Sequence, residues 1–415
     1  MAVVRPFRGI RPDAKLVEQV SCLPYDVMNR EEAKEMGKGN PNSFLRICRS
    51  EIDLPDSVDA YDPQVYQTAR KNLDQFVKDG IMIQEAKPIY YIYRQLMNGR
   101  VQTGIVATTS VDEYLNDVIK KHEFTRPVKE VDRINNFDYC NAHTEPIFLS
   151  YRKNDEINHI VNEWIKFHMP LYNFTSDDDF QHILWVIDDE AQVARIQEIF
   201  AGIDYLYIAD GHHRSASSAK VGLKRREENP NYTGEEEFNF FMSVIFPDED
   251  LFIMDYNRVL TDLYGNTNEE FFAKVSEKFM VEEVGTEAYK PMVRGTFGML
   301  LDGKWYKLTI KEGFYDPADP VDRLDVSILQ KNLLHPILGI EDPRTDKRID
   351  FVGGIRGLKE LERRCNSDMK VAFSMYPTTM DDLISIADSG QVMPPKSTWF
   401  EPKLRSGLFV HALDK

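Results

Sequence analysis

The residues from Asp210 to Arg214 place an acid, a glycine, two histidines and an arginine in consecutive positions, directly after the apolar run Leu206–Ala209. Asp-Gly is a common turn dipeptide, because glycine adopts positive φ angles without strain. A small-residue run with helical spacing follows, and we expect a helix that begins near Arg214 or Ser215. The first N–H groups of a helix have no partner within it and lie at the positive end of its dipole. The stretch is therefore either an ordinary turn or an anion-binding strand-to-helix junction.

The side chains of this stretch suit the chemistry of phosphoryl groups. Arg214 offers a bidentate partner for phosphate oxygens, and Ser215 adds a hydroxyl in the first helical turn. His212 and His213 could donate to phosphoryl oxygens or transfer a proton. Asp210 could hold Mg²⁺ or accept a proton from a hydroxyl group. Catalytic zinc is disfavoured, because two adjacent histidines in a regular helix or strand do not both face one ion.

Two other polar runs carry candidate residues for the same chemistry. The run KKHEFTRPVKEVDR (120–133) is rich in cations, and its candidates are His122, Glu123 and Arg133. It is either a solvated helix end followed by a loop or a basic anion-binding loop with one carboxylate. The run PPKSTWFEPKLRSG (394–407) either anchors the C-terminus or walls a pocket with its two aromatic residues. Its candidate phosphate contacts are Lys396, Ser397, Thr398 and Lys403.

Common catalytic motifs are missing from the sequence. It has no GxxxxGK[ST] P-loop, no set of protein-kinase motifs and no GxSxG nucleophile elbow. His122-Glu123 does not begin an HExxH zinc motif, because the fourth residue after His122 is Arg126. Asp26 and Arg46, in turn-rich polar segments near the N-terminus, are secondary candidates.

Composition limits the partners that the protein can have. The 415 residues carry a formal net charge of -17, which repels polyanions unless basic residues cluster locally. We therefore expect no nucleic-acid partner. The four cysteines lack CxxC spacing, the N-terminus lacks a signal-peptide core, and no apolar run approaches the roughly 20 residues of a membrane span. A cytoplasmic protein with no membrane partner is expected.

The order of helical and strand-like segments predicts an α+β protein with mixed sheets and flanking helices. Hairpins are expected at Asn98-Gly99 and Asp302-Gly303, which are strong turn signals between β-rich runs. The pattern of helix-like and strand-like segments changes near residue 230. This change predicts two domains, 1–230 and 231–415.

Two finer expectations concern neighbouring elements. The charged segment from Val111 onwards is expected to form a helix that ends within the run 120–133. The apolar segments 238–246 and 251–260 are expected to be adjacent strands joined by the acidic turn Pro247–Asp250.

Six segments resemble a known bacterial family, catalogued as domain of unknown function family 1015. In chain order they are RPFRGIRP, CLPYDVMN, NPNSFLR, KKHEFTRPVKEVDR, YIADGHHRSASS and MPPKSTWFEPKLRSGL, and the resemblance covers nearly the whole chain. At the Asp-Gly-His-His-Arg stretch this family is similar to the ParB/sulfiredoxin superfamily. Within that superfamily it looks closest to the free serine kinases, which phosphorylate serine with a nucleotide. The resemblance implies a ParB/sulfiredoxin-like core with large insertions, completed by a C-terminal α+β region.

The function implied by this resemblance is a nucleotide-dependent phosphotransferase that acts on free serine or phosphoserine. ATP or ADP and Mg²⁺ are the implied cofactors. Asp210, His212, His213 and Arg214 are the implied phosphate and metal handlers, with the metal at Asp210. The catalytic base stays open among Glu123, Asp210 and Asp26.

Two other classes of function stay open. One is a ParB-like nucleotide-binding switch without amino-acid turnover, but the sequence shows neither the basic stripe nor the helix-turn-helix that would support a DNA-associated module. The other is a phosphohydrolase that uses the same anion site and releases inorganic phosphate without an acceptor. The oligomeric state also stays open, and a homo-oligomer is compatible with the sequence.

Overall fold

The structure is a computed structural model that describes residues 2–125 and 127–414, except the side chain of Val128. Within this part of the chain, mixed sheets are flanked by helices, which confirms the predicted α+β class. Contacts group the chain into two compact units. The first unit comprises Met1–Lys121, Thr125–Leu251 and Pro402–Lys415, and the second comprises His122–Phe124 and Phe252–Glu401.

The predicted domains, 1–230 and 231–415, stay a prediction. The contact grouping changes at Leu251, because the strand Phe240–Pro247 pairs within the central sheet of the first unit. The chain returns to the first unit at Pro402. Such long-range pairing leaves no trace in local sequence texture.

A mixed central sheet organises the first unit. Its strand order is β6-β11-β8-β12-β5-β4-β10-β9, and β1 pairs with β5. The strands of this unit are β1 Val4–Arg5, β2 Ile10–Pro12, β3 Met82–Gln84, β4 Tyr90–Met97, β5 Arg100–Ser110, β6 Ile119–Lys120, β7 Ala142–His143, β8 Ile147–Tyr151, β9 Tyr172–Thr175, β10 Gln181–Ile187, β11 Leu206–Asp210, β12 Phe240–Pro247 and, near the C-terminus, β21 His411–Ala412.

Helices of the first unit cover this sheet and build a second apolar cluster near the N-terminus. They are α1 Val17–Val20, α2 Arg30–Gly37, α3 Leu45–Cys48, α4 Pro63–Lys78, α5 Val111–Leu115, α6 Pro127–Cys140, α7 Asp155–Phe167, α8 Glu190–Ala201 and α9 His212–Glu228. Most are amphipathic, so their packing follows from the apolar periodicity of the sequence.

The predicted hairpins at Asn98-Gly99 and Asp302-Gly303 are confirmed, the first between β4 and β5. All four turn residues have positive φ angles, between 49° and 80°. Asn and Asp tolerate this region better than other residues with side chains, and glycine enters it freely, which is why these dipeptides are reliable turn signals.

The charged segment after Val111 does not form the single helix that we expected. The helix α5 ends at Leu115, the short strand β6 follows, and α6 begins at Pro127. Proline suits the first position of a helix, because the N–H group that it lacks would have no partner there. In α6, Asp132 and Arg133 are buried, so the interpretation of the run as a solvated helix end is wrong. Tertiary packing of α6 against α4 and α9 buries them.

The second unit is built on a sheet with the order β15-β17-β16-β19-β14-β18. Its strands are β13 Ile253–Met254, β14 Tyr256–Leu260, β15 Phe279–Gly285, β16 Thr296–Leu301, β17 Lys304–Ile310, β18 Ile349–Gly353, β19 Val371–Ser374 and β20 Trp399–Phe400. Its helices are α10 Asn268–Lys278, α11 Asp325–Leu329, α12 Leu358–Cys365 and α13 Met380–Asp388, with a π-helical turn at Gln330–Leu334.

The expected pairing of segments 238–246 and 251–260 is wrong. The strand β12 lies between β5 and β8 in the first unit, whereas β14 lies between β18 and β19 in the second. The acidic segment Asp248–Asp250 forms a 3₁₀ turn rather than a hairpin turn. No helix in the described part of the chain is long and apolar enough to cross a lipid bilayer.

Candidate phosphate-binding site

The junction between β11 and α9 carries the residues that could bind phosphate. The strand β11 is buried and runs antiparallel to β8, with Asp210 opposite Phe148. Gly211 follows with a φ of 94°, and a side chain there would crowd the guanidinium of Arg214. The helix therefore begins at His212, two or three residues earlier than expected, because glycine makes the sharp turn without strain.

Within this junction, Asp210 and Ser215 stabilise the turn. The N–H group of Gly211 donates to Asp210 Oδ1 at 2.7 Å. The backbone N–H and the hydroxyl of Ser215 both donate to the carbonyl oxygen of Gly211, at 2.9 and 3.0 Å. The N–H groups of residues 212–214 precede this first helical hydrogen bond, so they form the positive end of a helix of 17 residues.

Arg214 is a buried cation with an unused hydrogen-bond donor. It is only 4% exposed, and its Nη1 donates to the carbonyl oxygen of Pro146 at 2.7 Å. Its buried Nε has no hydrogen-bond partner within the described chain. Burial by itself would lower the pKa of Arg214, but the charges of Asp26, Asp210 and Glu145 outweigh it and raise the pKa. The guanidinium thus stays charged and can donate to an anion.

Lys403 reaches this junction from the C-terminal segment. Its Nζ lies 2.9 Å from Asp210 Oδ2. The hairpin of β4 and β5 fixes the backbone there, since Gln95 Nε2 donates to the carbonyl oxygen of Lys403 at 2.9 Å. Gln102 Nε2 in turn donates to Gln95 Oε1 at 2.8 Å, so two buried amides orient each other. Arg405 adds a further anchor through its ion pair with Asp178.

The carboxylate of Asp210 stays ionised because of these cations. Burial would raise its pKa, but Lys403 and Arg214 together hold the pKa well below its usual value. A carboxylate with a low pKa is a weak proton acceptor, so Asp210 suits charge binding better than base catalysis. The exposed side chain of Asp26 carries the charge that contributes most to the raised pKa of Arg214.

A second set of buried charges supports the first. The side chain of Glu145 is fully buried and accepts hydrogen bonds from the N–H of Tyr25 at 3.1 Å and from the hydroxyl of Ser406 at 2.8 Å. Arg133 Nη1 donates to Glu145 Oε2 at 3.2 Å, and Arg133 also pairs with Asp132 at 2.9 Å. This set joins the N-terminal segment, α6 and the C-terminal segment.

Arg133 holds Tyr25 in place as well. Its guanidinium carbon lies 3.9 Å from the centroid of the Tyr25 ring, a cation–π contact. Burial would lower the pKa of Arg133, but Asp132, Tyr25 and Glu145 raise it. With two carboxylates bound, the charge of Arg133 is neutralised, so the arrangement favours positioning of neighbours over direct grip on a phosphate.

The predicted site residues divide between the two units. Those in the first unit are Arg133, Asp210, His212, His213, Arg214, Ser215 and Lys403. Those in the second unit are His122, Glu123, Lys396, Ser397 and Thr398. In the first unit the structure brings together Asp210, Arg214 and Lys403, with His212 buried and His213 half-buried at the same helix start.

In the second unit, the predicted residues lie in two segments held by backbone contacts. The carbonyl oxygen of His122 accepts a hydrogen bond from the N–H of Met393 at 2.7 Å. Lys396 has a positive φ of 61°, and its carbonyl oxygen accepts from Arg258 Nη2 at 3.0 Å. The hydroxyl of Ser397 donates to the carbonyl oxygen of Pro394 at 2.6 Å, which stabilises the turn.

Sequence reasoning missed several residues of the first-unit cluster, of which Glu145 is the most central. It stands alone between His143-Thr144 and Pro146, with no charged neighbour to mark it. Gln95 and Gln102 are likewise inconspicuous, and only their opposed positions in the hairpin register reveal them. For these two glutamines, the available sequence signal was a polar residue at an inward position of an apolar strand.

The comparison with protein families decides the relationship of the chain. The chain matches the model of a family described as protein of unknown function (DUF1015) over residues 4–327. The chain belongs to this family. The membership that the six segments predicted is therefore confirmed. None of the curated proteins compared with the chain matches it.

Solved structures show only distant likeness. A conserved hypothetical protein from Pyrococcus furiosus is 15% identical, with a TM-score of 0.34 over 74% of this chain and 95% of that chain. A free serine kinase in complex with AMP is 14% identical, with a TM-score of 0.35 over 75% and 91%. SbnI from Staphylococcus aureus, with a C-terminal truncation, is 10% identical, with a TM-score of 0.39 over 74% and 87%. At these TM-scores, nothing about the site of this family member follows from them.

Proposed function

We propose that this protein is a nucleotide-dependent phosphotransferase that moves a phosphoryl group between ATP or ADP and free serine or phosphoserine. One observation carries the proposal. A buried arginine with an unused Nε, Arg214, lies at the N-terminus of a 17-residue helix beside the Lys403–Asp210 pair. Phosphoryl transfer needs mainly positioning and neutralisation of charge, and this arrangement provides both.

Arg214 and Lys403 neutralise the phosphoryl oxygens in this proposal. Arg214 keeps its charge at any working pH, because its pKa is raised further above its usual value. Lys403 is held by its own backbone, so its ammonium group can turn from Asp210 to a phosphate without loss of position. His212 and His213, at the start of α9, donate to the same oxygens.

Asp210 fits the binding of Mg²⁺ in this proposal. Magnesium is usually held by one or two carboxylates together with substrate phosphates. The side chain of Asp210 is 29% exposed and ionised, and its Oδ2 becomes available to a cation when Lys403 turns to the phosphate. Bound there, Mg²⁺ would supply neutralising charge to the phosphates of the nucleotide.

Asp26 is the candidate base that the first unit supports best. It is exposed, and its charge contributes to the raised pKa of Arg214, which supports a role near the proposed phosphate site. Asp210 is disfavoured by its low pKa. For Glu123, His122, Lys396, Ser397 and Thr398, all in the second unit, the predicted roles stay predictions.

The reaction is proposed to take place in the cytoplasm. The four cysteines, Cys22, Cys48, Cys140 and Cys365, are free thiols. Thiols persist in a reducing compartment, whereas exported proteins tend to oxidise them to disulfides.

The first test is calorimetric titration of ATP and ADP into the wild-type protein, Arg214→Met and Arg225→Met. We expect Arg214→Met to weaken nucleotide binding by about 100-fold, because charge-assisted hydrogen bonds to phosphate are lost. Arg225 lies on the same helix, pairs with Asp138 away from the junction, and serves as the matched control. Unchanged affinity in Arg214→Met would contradict the proposal.

The second test is mass spectrometry of serine incubated with the protein, Mg²⁺ and ATP or ADP. Phosphoserine should form with the wild-type protein and with Arg225→Met, but not with Arg214→Met. Asp26→Asn should bind nucleotide normally and lose turnover. Release of inorganic phosphate without phosphoserine would favour a phosphohydrolase over the proposed transferase.

A further inference from the structure

A cavity of about 370 Å³ lies within the first unit, between the N-terminal helical segments and α6. Its volume falls within the range of small-molecule sites. Tyr25, Tyr61 and Tyr66 contribute aromatic walls. The charged residues that line it are Arg30, Arg49, Glu51, Lys129, Asp132 and Arg133.

Two of its cations are neutralised within the protein. Arg49 Nε lies 2.7 Å from Glu51 Oε1, and Arg133 Nη2 lies 2.9 Å from Asp132 Oδ2. Arg49 Nη1 also donates to the carbonyl oxygen of Tyr25 at 2.9 Å. These residues shape the cavity and add no net charge to it.

Arg30 keeps its positive charge. Its guanidinium donates to the carbonyl oxygens of Val58, Glu51 and Pro55, at 2.7, 3.0 and 3.0 Å, which satisfies donors without neutralising the ion. Asp56 Oδ1 lies 4.0 Å from Arg30 Nε, and the Asp56 side chain is 82% exposed and therefore well screened. Arg30 Nε is buried and makes no hydrogen bond within the described chain.

Lys129 adds a second positive charge that the protein leaves unmatched. It lies on the first turns of α6, is exposed, and pairs with no carboxylate of the described chain. Four cations and two acids therefore line the cavity, and direct pairing accounts for two of the cations. An anion is the ligand that this balance attracts.

The other lining groups define the rest of the ligand. Tyr66 donates its hydroxyl to Asp132 at 3.0 Å, whereas Tyr61 is 46% exposed at the edge of the cavity and offers a ring face and a hydroxyl. Asn29, Ser50 and Asn136 add neutral hydrogen-bonding groups. Such walls suit a small organic molecule better than a bare inorganic ion.

We propose that this cavity binds a small organic anion, a carboxylate or a phosphate ester, through Lys129 and Arg30. The cavity has its own cations and does not include Asp210, Arg214 or Lys403. The proposal therefore does not depend on the phosphotransferase reaction, and each can fail without the other.

Calorimetric titration of the full-length protein with succinate, glycerol 3-phosphate and inorganic phosphate tests the proposal. We expect one organic anion to bind, more tightly than phosphate, and Lys129→Met to weaken it about tenfold, the effect of losing roughly one charge-assisted contact. Tyr61→Ala should weaken it as well. Lys71→Met is the matched control, because Lys71 is exposed on the neighbouring helix α4 and does not line the cavity.

The two organic probes distinguish the source of the anion. Tighter binding of succinate identifies a carboxylate ligand, and tighter binding of glycerol 3-phosphate identifies a phosphate ester; both results support the site. Equal affinity in Lys129→Met and wild type overturns it, as does failure of both organic probes to bind the wild type. Loss of binding in Arg214→Met but not in Lys129→Met also overturns it, because the anion then occupies the phosphate site.

Discussion

The two units hold buried arginines in different ways. In the first, Arg133 and Arg214 lie among carboxylates that raise their pKa values despite burial. In the second, Arg258 donates to the carbonyl oxygens of Tyr256 and Lys396, and burial lowers its pKa to about 10. Carbonyl groups satisfy donors but do not neutralise charge. Arg133 and Arg214 are thus stabilised electrostatically, whereas the contacts of Arg258 only satisfy its hydrogen bonds.

Asp210 in the first unit and Asp325 in the second show a similar contrast. The cations around Asp210 overcome burial and keep its pKa low. In the second unit, burial raises the pKa of Asp325 to about 7, even though the N–H of Gly295 donates to it at 2.7 Å. Neighbouring cations therefore keep Asp210 charged at the proposed phosphate site, whereas burial suppresses the charge of Asp325.

Replacing Glu145 with Gln should produce the largest effect. Arg133 would lose one of its two carboxylates, and the first unit should lose about 3–5 kcal/mol of unfolding free energy, the usual cost of breaking a buried ion pair. Hydrogen exchange of peptides in each unit measures this directly. We expect faster exchange in the first unit only, with Glu190→Gln on the exposed face of α8 as control; equal protection in Glu145→Gln would remove the contrast between the units.

Asp325 should make the second unit lose stability as pH rises. Its folded pKa of about 7 lies above the unfolded value of about 3.9, so its contribution is complete below pH 4 and is lost as pH rises through 7. The loss should be roughly 2–4 kcal/mol. Asp325→Asn should flatten this pH dependence.

Hydrogen exchange of second-unit peptides from pH 5 to 8, corrected for intrinsic rates, measures the effect of Asp325. Asp368→Asn is the control, because Asp368 is exposed. A wild-type protein whose second unit gains stability over this range would show that Asp325 is ionised when folded.

Replacing Arg258 with Met should lower the free energy of unfolding less than replacing Arg133 with Met in the first unit. Arg258→Met removes a charge that no carboxylate of the described chain neutralises, and it loses hydrogen bonds to carbonyl groups worth about 1–2 kcal/mol. Arg133→Met leaves Asp132 and Glu145 without their cation and should cost about 3–5 kcal/mol. Denaturant unfolding of both variants compares them, and equal losses would show that carbonyl groups stabilise a buried arginine as well as carboxylates do.

The smallest expected effect is a loss of first-unit stability as pH falls, which is opposite in sign to the effect of Asp325 on the second unit. His143 is buried, its Nδ1 lies 3.2 Å from His411 Nδ1, and burial and His411 lower its pKa. The stability it contributes is present above the unfolded pKa of about 6.5 and is lost as pH falls. Between pH 7.5 and 5.5 we expect the first unit to lose about 1 kcal/mol of unfolding free energy. His143→Asn should abolish this loss. First-unit peptides in the same hydrogen-exchange experiment measure it.

Local sequence was sufficient for several features of the fold. The two Asn-Gly and Asp-Gly hairpins, the buried strand β11 and the glycine junction that follows it were all readable from nearby residues. Such features depend on φ preferences and periodicity within a few residues.

Long-range features were not readable in this way. The pairing of β12 with β5 and β8, and the burial of α6, depend on segments far apart in the chain. The sequence pattern predicted a strand pair, and it left a solvated helix end open as one of two interpretations of the run 120–133. Neither hydrophobic periodicity nor charge pattern says which strand a segment will pair with.

The sequence by itself identified the five residues of the β11–α9 junction as a candidate site, and it predicted the α+β class and the family. Tertiary structure alone decided that Lys403 meets Asp210 across 193 positions of the chain, and that Glu145 joins Arg133 to Tyr25 and Ser406. The physical reason is that a strand and its turn are fixed by local backbone preferences. A buried ion pair forms only where the folded chain removes both partners from water together.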